Sequence, residues 1–143
     1  MEINHITFSV SHLKKSIEFY ETALNAKILV EGERMAYFDL SGVWLALNVQ
    51  TNIPRNEISH SYTHMAFTVT PEELQMKKEI FTKIGISFDE GRDRDKEREG
   101  HSIYFSDPDG HRFEFHTGSR DQRIEYYKEE KKPMRFFEND DNQ

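Results

Sequence analysis

The chain has 143 residues, of which 36% are hydrophobic and 31% charged, and its formal net charge is −7. This length suits one domain or two small, closely packed halves, and the acidic balance argues against nucleic acid as a partner. Because cysteine is absent, disulfides, thiolate metal ligands and a cysteine nucleophile are excluded. No apolar run approaches the ~20 residues of a membrane span, and the N-terminus lacks the pattern of a secretory signal, so we expect a cytoplasmic protein without a membrane partner.

The first half of the chain predicts a strand, a helix and then three more strands. Residues 3–10 alternate in polarity as a strand does, and apolar residues recur at helical spacing over 12–25. Ser11 is the expected N-cap of this helix. Turn residues separate the strands that follow, which we place at 27–32, 34–40 and 43–49. We take 1–50 as module one and 51–61 as a linker.

The second half repeats this plan. A strand over 62–69 leads into a helix that begins with a capping box from Thr70 to Glu73 and a proline at its first position. Gly85 is the expected end of the helix. The three following strands are placed at about 86–89, 101–106 and 111–116.

Two polar segments complete the second half. Gly91 to Gly100 reads GRDRDKEREG, a charged loop longer than its counterpart in module one. A short helix is expected from Ser119, followed by a polar tail. Module two therefore spans 62–118, and a C-terminal helix and tail span 119–143.

The two modules are copies of one another. They align INHITFSV (3–10) with YTHMAFTV (62–69), and AYFDLSGVWLAL (36–47) with IYFSDPDGHRFEF (103–115). This alignment sets His5 against His64 and, with one residue added at the turn, Ala46 against Glu114. A duplicated unit of this kind predicts an α+β fold of paired βαβββ modules whose curved mixed sheets surround one site.

Alternation within the strands separates a polar face from an apolar one. His5, His64, Glu114 and Trp44 share the parity of the polar face, whereas the neighbouring phenylalanines and leucines have the opposite parity. The apolar face must cover the helices. A remaining face that carries histidines, a glutamate and tryptophan is typical of a binding cup.

The polar face predicts a divalent metal site with the ligands His5, His64 and Glu114. A carboxylate within Phe-Glu-Phe is costly to bury without a cation or hydrogen-bond donors. The fourth equivalent position is Ala46, which cannot coordinate, so positions stay open for water or substrate, as in catalytic sites. Two imidazoles and a carboxylate suit Mg²⁺, Mn²⁺, Fe²⁺, Zn²⁺, Ni²⁺ or Co²⁺, and the sequence does not choose among them.

Plainer interpretations of the same residues stay open at this point. Glu114 could pair with Arg112, Arg92 or Arg123 while the two histidines hydrogen-bond each other, and His116 has the parity to compete as a ligand. The charge run 92–99 is typical of a solvated loop, yet Arg92 and Arg123 could reach an anion on the metal through paired guanidinium donors. The other histidines are expected at the surface: His12, His60, His101 and His111.

The chain also contains a set of specific segments: GVWLALN (42–48), IPRNEI (53–58), SYTH (61–64), GRDRD (91–95), SIYFSDPDGHRFEFHTG (102–118) and R-x-x-YY (123–127). Together they resemble the FosB-type fosfomycin-resistance proteins, the metallothiol transferases of the vicinal oxygen chelate, or glyoxalase/bleomycin-resistance, superfamily. The resemblance extends to about residue 137. In one departure, Thr7 stands where many members carry a cysteine that is not a metal ligand.

The resemblance implies a domain-swapped homodimer in which His5 of one copy joins His64 and Glu114 of the other. It implies that bacillithiol or L-cysteine opens the epoxide of fosfomycin, with Mg²⁺ or Mn²⁺ as cofactor and Zn²⁺ or Ni²⁺ as substitutes in vitro. The implied substrate contacts are Tyr37, Trp44, Asn48, Arg92, Tyr104 and Arg123.

Three other functions compete with the thiol transferase. A glyoxalase-like isomerase would more naturally keep a carboxylate at the position of Ala46. A ring-cleaving dioxygenase would require iron and dioxygen. A drug-sequestering protein would usually lack a complete set of metal ligands.

Overall fold

A computed structural model describes residues 1–137 of the chain. Its elements in chain order are β1 (His5–Val10), α1 (Leu13–Leu24), β2 (Lys27–Glu31), β3 (Met35–Leu40), β4 (Val43–Val49), α2 (Asn56–His60), β5 (His64–Thr68), α3 (Pro71–Ile84), α4 (Lys96–Glu99), β6 (Ser102–Ser106), β7 (Arg112–His116) and α5 (Arg120–Glu129). The end of the predicted tail, 138–143, lies outside the described residues. Within 1–137, every helix is too short or too polar to cross a membrane.

The strands form two mixed sheets, one in each half of the chain. The first sheet has the order β1-β4-β3-β2 and the second the order β5-β7-β6. In each, the first strand of the half runs parallel to the last, and the other pairs are antiparallel. This is the α+β arrangement predicted from the repeat.

Cross-strand register confirms that Ala46 and Glu114 are equivalent positions. Tyr37 lies opposite Ala46 in the first sheet, and Tyr104 lies opposite Glu114 in the second. Because residues directly opposite one another point to the same face of a sheet, both tyrosines share the polar face.

The second half departs from the plan of the first at one strand. Of the predicted strand 86–89, only Asp89 pairs with the sheet, in a single bridge to Tyr104. The prediction of a fourth full strand in this half, at 86–89, is therefore wrong, and the chain turns away two residues later at Gly91, whose φ of +69° favours glycine. The charged loop starts at this turn.

One local prediction also needs correction. The N-cap of α1 is His12, whose ring accepts from Lys15 N at 3.4 Å. Ser11 instead donates its backbone N–H to Asp109 at 2.8 Å. The predicted linker 51–61 contains the short helix α2. By contrast, α3 begins at the predicted capping box and ends at Gly85.

The apolar faces of both sheets share one core with the helices. The largest wholly buried side chains include Tyr20 of α1, Phe38 of the first sheet and Phe113 of the second. Tyr20 packs edge-on against Phe113 with ring centres 5.9 Å apart and donates to Asp107 at 2.8 Å. Burial raises the pKa of the Asp107 carboxyl. Packing the apolar faces together leaves the polar faces turned outward.

Arg55 ties the linker to both halves. Its guanidinium donates to the Ser9 carbonyl at 3.0 Å, to the Ser9 hydroxyl at 3.0 Å and to the Gln50 carbonyl at 2.8 Å. It also forms an ion pair with Asp109 at 3.4 Å. One side chain thus joins β1, the end of module one and the turn before β7.

One histidine expected at the surface belongs to the same junction. His111 is half-buried, and its Nε2 lies 2.7 Å from the Ser9 carbonyl oxygen. Its ring packs 4.9 Å from that of Phe8. The surface prediction is wrong here because the turn from Asp107 to Gly110 brings the ring against β1.

We expect Arg55→Ala to lower the free energy of unfolding by about 2–3 kcal/mol, the cost of removing hydrogen bonds made by a charged group. Denaturant unfolding followed by circular dichroism measures the loss. Arg34→Ala is the matched control, because Arg34 is exposed and donates only to the Val49 carbonyl among residues 1–137. The control should change stability by no more than about 0.5 kcal/mol. Equal losses in the two variants would contradict the role of Arg55.

Candidate metal centre

His64 and Glu114 meet on the polar face of the second sheet. His64 opens β5 and Glu114 lies in the middle of β7, the strand paired with it. The His64 Nε2 atom is 3.1 Å from Glu114 Oε2, with the carboxylate side chain 8% exposed and the imidazole 23% exposed. Two of the three predicted ligands are therefore in contact.

The orientation of His64 leaves its Nε2 lone pair for a cation. The Nδ1 atom lies 2.7 Å from the Tyr62 carbonyl oxygen, an acceptor, so Nδ1 carries the proton of the neutral ring. Nε2 then faces a carboxylate oxygen, and two acceptors at this distance require a second proton or a metal ion between them. A backbone carbonyl on Nδ1 is also the usual support of a metal-binding histidine.

The second carboxylate oxygen of Glu114 is held by the protein. Ser102 of β6 donates to Glu114 Oε1 at 2.5 Å. The Arg94 guanidinium lies 4.0 Å from the same oxygen, and its side chain is only 4% exposed. Arg94 is therefore the arginine beside the carboxylate, rather than Arg92, Arg112 or Arg123 as the plainer interpretation supposed.

Tyr104 lies beside Glu114 and is fixed from two sides. Arg94 Nη2 donates to the Tyr104 hydroxyl at 3.3 Å. A Cβ atom at Gly91 would lie 2.5 Å from the Tyr104 ring, so this position requires glycine for the loop to pass. Burial, and then the hydroxyl of Tyr62, raise the pKa of Tyr104 to about 12. The phenol is consequently a protonated donor at neutral pH.

His116 lies behind Glu114 in the same strand and does not reach the space between His64 and Glu114. Its Nδ1 is 2.7 Å from the Ser102 hydroxyl oxygen and 3.6 Å from Glu114 Oε1. Burial lowers the pKa of the His116 ring, which favours the neutral form. His116 is therefore placed to hydrogen-bond to the Ser102 hydroxyl.

His5 lies on the polar face of the first sheet, away from the other two predicted ligands. It is exposed, and its ring centre is 4.7 Å from Trp44, which in turn is 5.2 Å from Tyr37. Asn48 is exposed on the same face. Within residues 1–137 of a single chain, no group of three or more candidate ligands converges as a metal site. The three predicted ligands therefore do not converge within the described part of one chain.

Arg92 and Arg123, the arginines predicted to bind an anion, both contact Glu99. Arg92 Nη2 donates to Glu99 Oε1 at 2.5 Å, and Arg123 Nε lies 3.7 Å from the same oxygen. Arg123 also donates to the Glu99 carbonyl at 3.2 Å. The Glu99 side chain is only 3% exposed, whereas that of Arg92 is 49% exposed. The charged loop thus has a buried anion near its C-terminal end and is not simply a solvated loop.

Comparison with known proteins identifies the family. The model of the Glyoxalase/Bleomycin resistance protein/Dioxygenase superfamily matches residues 2–115. The metallothiol transferase FosB of Lysinibacillus sphaericus is 54% identical over 135 residues, which cover 94% of this chain and 95% of that protein. The chain belongs to the FosB metallothiol transferases.

Solved structures agree with this FosB assignment. The chain is similar to FosX, a fosfomycin resistance protein of Listeria monocytogenes crystallised with Mn(II) and sulfate, with a TM-score of 0.74 and 29% identity over 88% of this chain and 97% of that one. A FosX mutant crystallised with Mn(II) and 1S,2S-dihydroxypropylphosphonic acid gives a TM-score of 0.74 and 30% identity, again over 88% and 97% of the two chains.

Sequence reasoning does not single out Arg94 or Ser102 in this FosB chain. Ser102 has the same strand parity as Tyr104, so alternation along β6 could have placed it on the polar face. Arg94 carries no such signal, because the charged loop alternates positive and negative residues and places several arginines close together. Only the folded loop distinguishes the buried Arg94 from the half-exposed Arg92.

The Glu99 contacts predict an acid-sensitive step in the stability of this FosB chain. The hydrogen bond from Arg92 lowers the pKa of Glu99 below its ordinary value. A carboxyl group whose pKa is lower in the folded than in the unfolded state stabilises the fold at pH values above its unfolded pKa, about 4.3. This stabilisation is lost as the pH falls through the pKa of the folded state. We therefore expect Glu99→Gln to be less stable than wild type at pH 7, with the difference shrinking below about pH 4.

Thermal unfolding between neutral and acidic pH measures this difference. Glu97→Gln is the matched control, because Glu97 lies in the same short helix but is exposed and forms no ion pair within residues 1–137. The control should follow wild type at every pH. A gap between Glu99→Gln and wild type that stays constant down to acidic pH would show that the ionised carboxylate is not the cause.

Proposed function

We propose that this chain is a divalent-metal-dependent transferase that opens the epoxide of fosfomycin with bacillithiol or L-cysteine. The observation that carries the proposal is the contact of His64 Nε2 with Glu114 Oε2 at 3.1 Å, with Nδ1 of the same ring held by the Tyr62 carbonyl. This pair has the geometry of two metal ligands from one chain. The name of the FosB relative, a metallothiol transferase, and the Mn(II) of the FosX structure support a metal-dependent reaction.

The donor set fits Mg²⁺ or Mn²⁺. His64 would supply one imidazole and Glu114 one carboxylate oxygen, and His5 of a second copy would supply the other imidazole. Nitrogen and oxygen donors without sulfur suit these ions and also accept Zn²⁺ or Ni²⁺. When bound, the ion supplies Lewis acidity towards the oxirane oxygen.

The residues of the second module would bind and orient the anionic substrate. Arg94 places a buried positive charge beside Glu114, and its Nε is buried without a hydrogen-bond partner in residues 1–137. The protonated Tyr104 hydroxyl adds a donor on the same side. Arg92 and Arg123 remain predicted phosphonate contacts, and an anion would compete with Glu99 for them. The phosphonate of the FosX ligand is an anion of this kind.

The residues of the first module would form the opposite wall. Trp44 contacts both His5 and Tyr37 on an outward-facing surface, and Asn48 lies on the same face. A second copy that presents this face to His64 and Glu114 would complete the ligand set and cover the aromatic rings. We therefore propose a homodimer with two metal sites, each shared between the chains.

Loss of the fosfomycin epoxide is the direct test of the proposed reaction. Purified protein with Mn²⁺ should consume fosfomycin in the presence of a thiol, measured by NMR of the phosphonate, with bacillithiol, L-cysteine and glutathione compared side by side. Failure with all three thiols would overturn the assignment. Rapid turnover without any thiol would indicate hydrolysis instead of thiol transfer.

Glu114→Gln should abolish turnover while the fold is retained. The amide keeps the size of the side chain but removes the charge that would bind the metal. The affinity for Mn²⁺ should therefore fall by more than the ~10–100-fold typical of losing a residue that hydrogen-bonds to a metal ligand. Titration calorimetry with Mn²⁺ and circular dichroism provide the two readouts. Glu125→Gln, at an exposed position in α5, should behave as wild type. Near-normal turnover by Glu114→Gln would remove this residue from the ligand set.

Mixing two inactive variants tests the shared site. His5→Ala and Glu114→Ala should each be inactive alone. After joint refolding in equal amounts, activity should return to about a quarter of wild type, because half of the dimers are mixed and each mixed dimer has one intact site. A site built within one chain would give no recovery. Wild type refolded with an equal amount of Arg34→Ala controls for losses during refolding.

A further inference from the structure

The Ser102 hydroxyl lies at the meeting point of three polar side chains next to the proposed metal site. Its oxygen is 2.5 Å from Glu114 Oε1, 2.7 Å from His116 Nδ1 and 2.9 Å from Arg94 Nη1. Ser102 itself is 5% exposed. The hydroxyl is thus buried and surrounded by groups that can all hydrogen-bond to it.

Counting donors and acceptors assigns each of these bonds a direction. A hydroxyl has one proton to donate and two lone pairs to accept with. The ionised Glu114 can only accept, so it takes the proton of Ser102. Arg94 can only donate, so it occupies one lone pair, and the other lone pair is left for an N–H at His116 Nδ1. The one donor and both acceptor positions of the Ser102 hydroxyl are then used, and Glu114 is the acceptor of its proton.

The His116 ring has little freedom to leave this arrangement. A Cβ atom at Gly118 would lie 2.6 Å from His116 Nε2, and one at Gly100 would lie 3.2 Å from the ring. Two glycine backbones therefore pack closely on the ring, near Nε2 and Cε1. The donor that faces Ser102 is held in place by packing.

The internal repeat provides an independent comparison. Ser102 pairs with His116, two residues along from the pair of Tyr104 and Glu114. In module one the equivalent pair is Met35 with Asn48, beside Tyr37 with Ala46. Module one has no carboxylate at the position of Glu114. At the positions of Ser102 and His116 it also has neither a hydroxyl nor an imidazole. The tyrosine stays in both copies.

We infer that Ser102 is a positioning residue, which binds one oxygen of Glu114 so that the other is presented to His64 and the metal. Without this bond the carboxylate could rotate or offer both oxygens to the ion. Arg94 and His116 act through Ser102 by fixing the direction of its proton. This inference rests on the proposed metal site at His64 and Glu114.

Mn²⁺ binding without substrate tests the inference apart from turnover. We expect Ser102→Ala to weaken Mn²⁺ binding by about 10–100-fold, the usual effect of removing a partner of a metal ligand. The EPR signal of free Mn²⁺ measures the dissociation constant. Ser102→Thr keeps the hydroxyl, so its Mn²⁺ dissociation constant should stay within about threefold of the wild-type value, well below the loss expected for Ser102→Ala. Ser106→Ala, at an exposed serine of the same strand, is the matched control and should not change binding.

The outcomes separate this inference from the proposed function. If wild type and Glu114→Ala both fail to bind Mn²⁺, the metal site itself is wrong. If wild type binds Mn²⁺ and Ser102→Ala binds equally well, the metal site stands and the role of Ser102 is overturned. Equal loss in Ser102→Thr and Ser102→Ala would also overturn it. If Ser102→Ala does not fold, Ser102→Cys replaces it, since a thiol is a weak donor and should show the same loss.

Discussion

The ionised carboxylate of Glu114 is the constraint around which the second module is built. Glu114 is 6% exposed and lies between the buried Phe113 and Phe115. Burying such a charge costs several kcal/mol unless each oxygen has a partner. One oxygen receives the Ser102 proton, and the other faces His64. The first partner belongs to the fold, whereas the second contact places two acceptors together, which requires a second proton or a metal ion between them.

The charged loop follows a path that brings one of its arginines to the residues around Glu114. Arg94 reaches Ser102 and Tyr104 because the chain leaves the sheet at Gly91, where any Cβ would strike the tyrosine ring. The loop is then held at its far side by Glu99, which gathers Arg92 and Arg123. Two buried charges of opposite sign, Arg94 and Glu99, therefore sit on one short segment. The loop positions charge rather than merely connecting elements.

The internal repeat and the strand alternation were enough to predict the sheets, the polar face and the contact of His64 with Glu114. The reason is that period-two alternation survives in every strand that is buried on one side. The same reasoning failed at 86–89, where Asp89 alone pairs with the sheet. It also failed to choose Arg94 among the loop arginines, and to see that Ser102 faces His116. Both depend on cross-strand register and loop path, which local pattern does not encode.

The difference between the modules determines what each can contribute. Module two keeps the carboxylate with its hydroxyl, imidazole and guanidinium supports, whereas module one has Ala46, Met35 and Asn48 at the positions of Glu114, Ser102 and His116. Module one retains the His5 imidazole, which packs against Trp44, and Trp44 in turn packs against Tyr37. The polar face of module two therefore carries charge, whereas that of module one carries an imidazole and aromatic surface. Since the two faces turn outward from a common core, the metal site proposed above needs a second copy of the chain to bring them together.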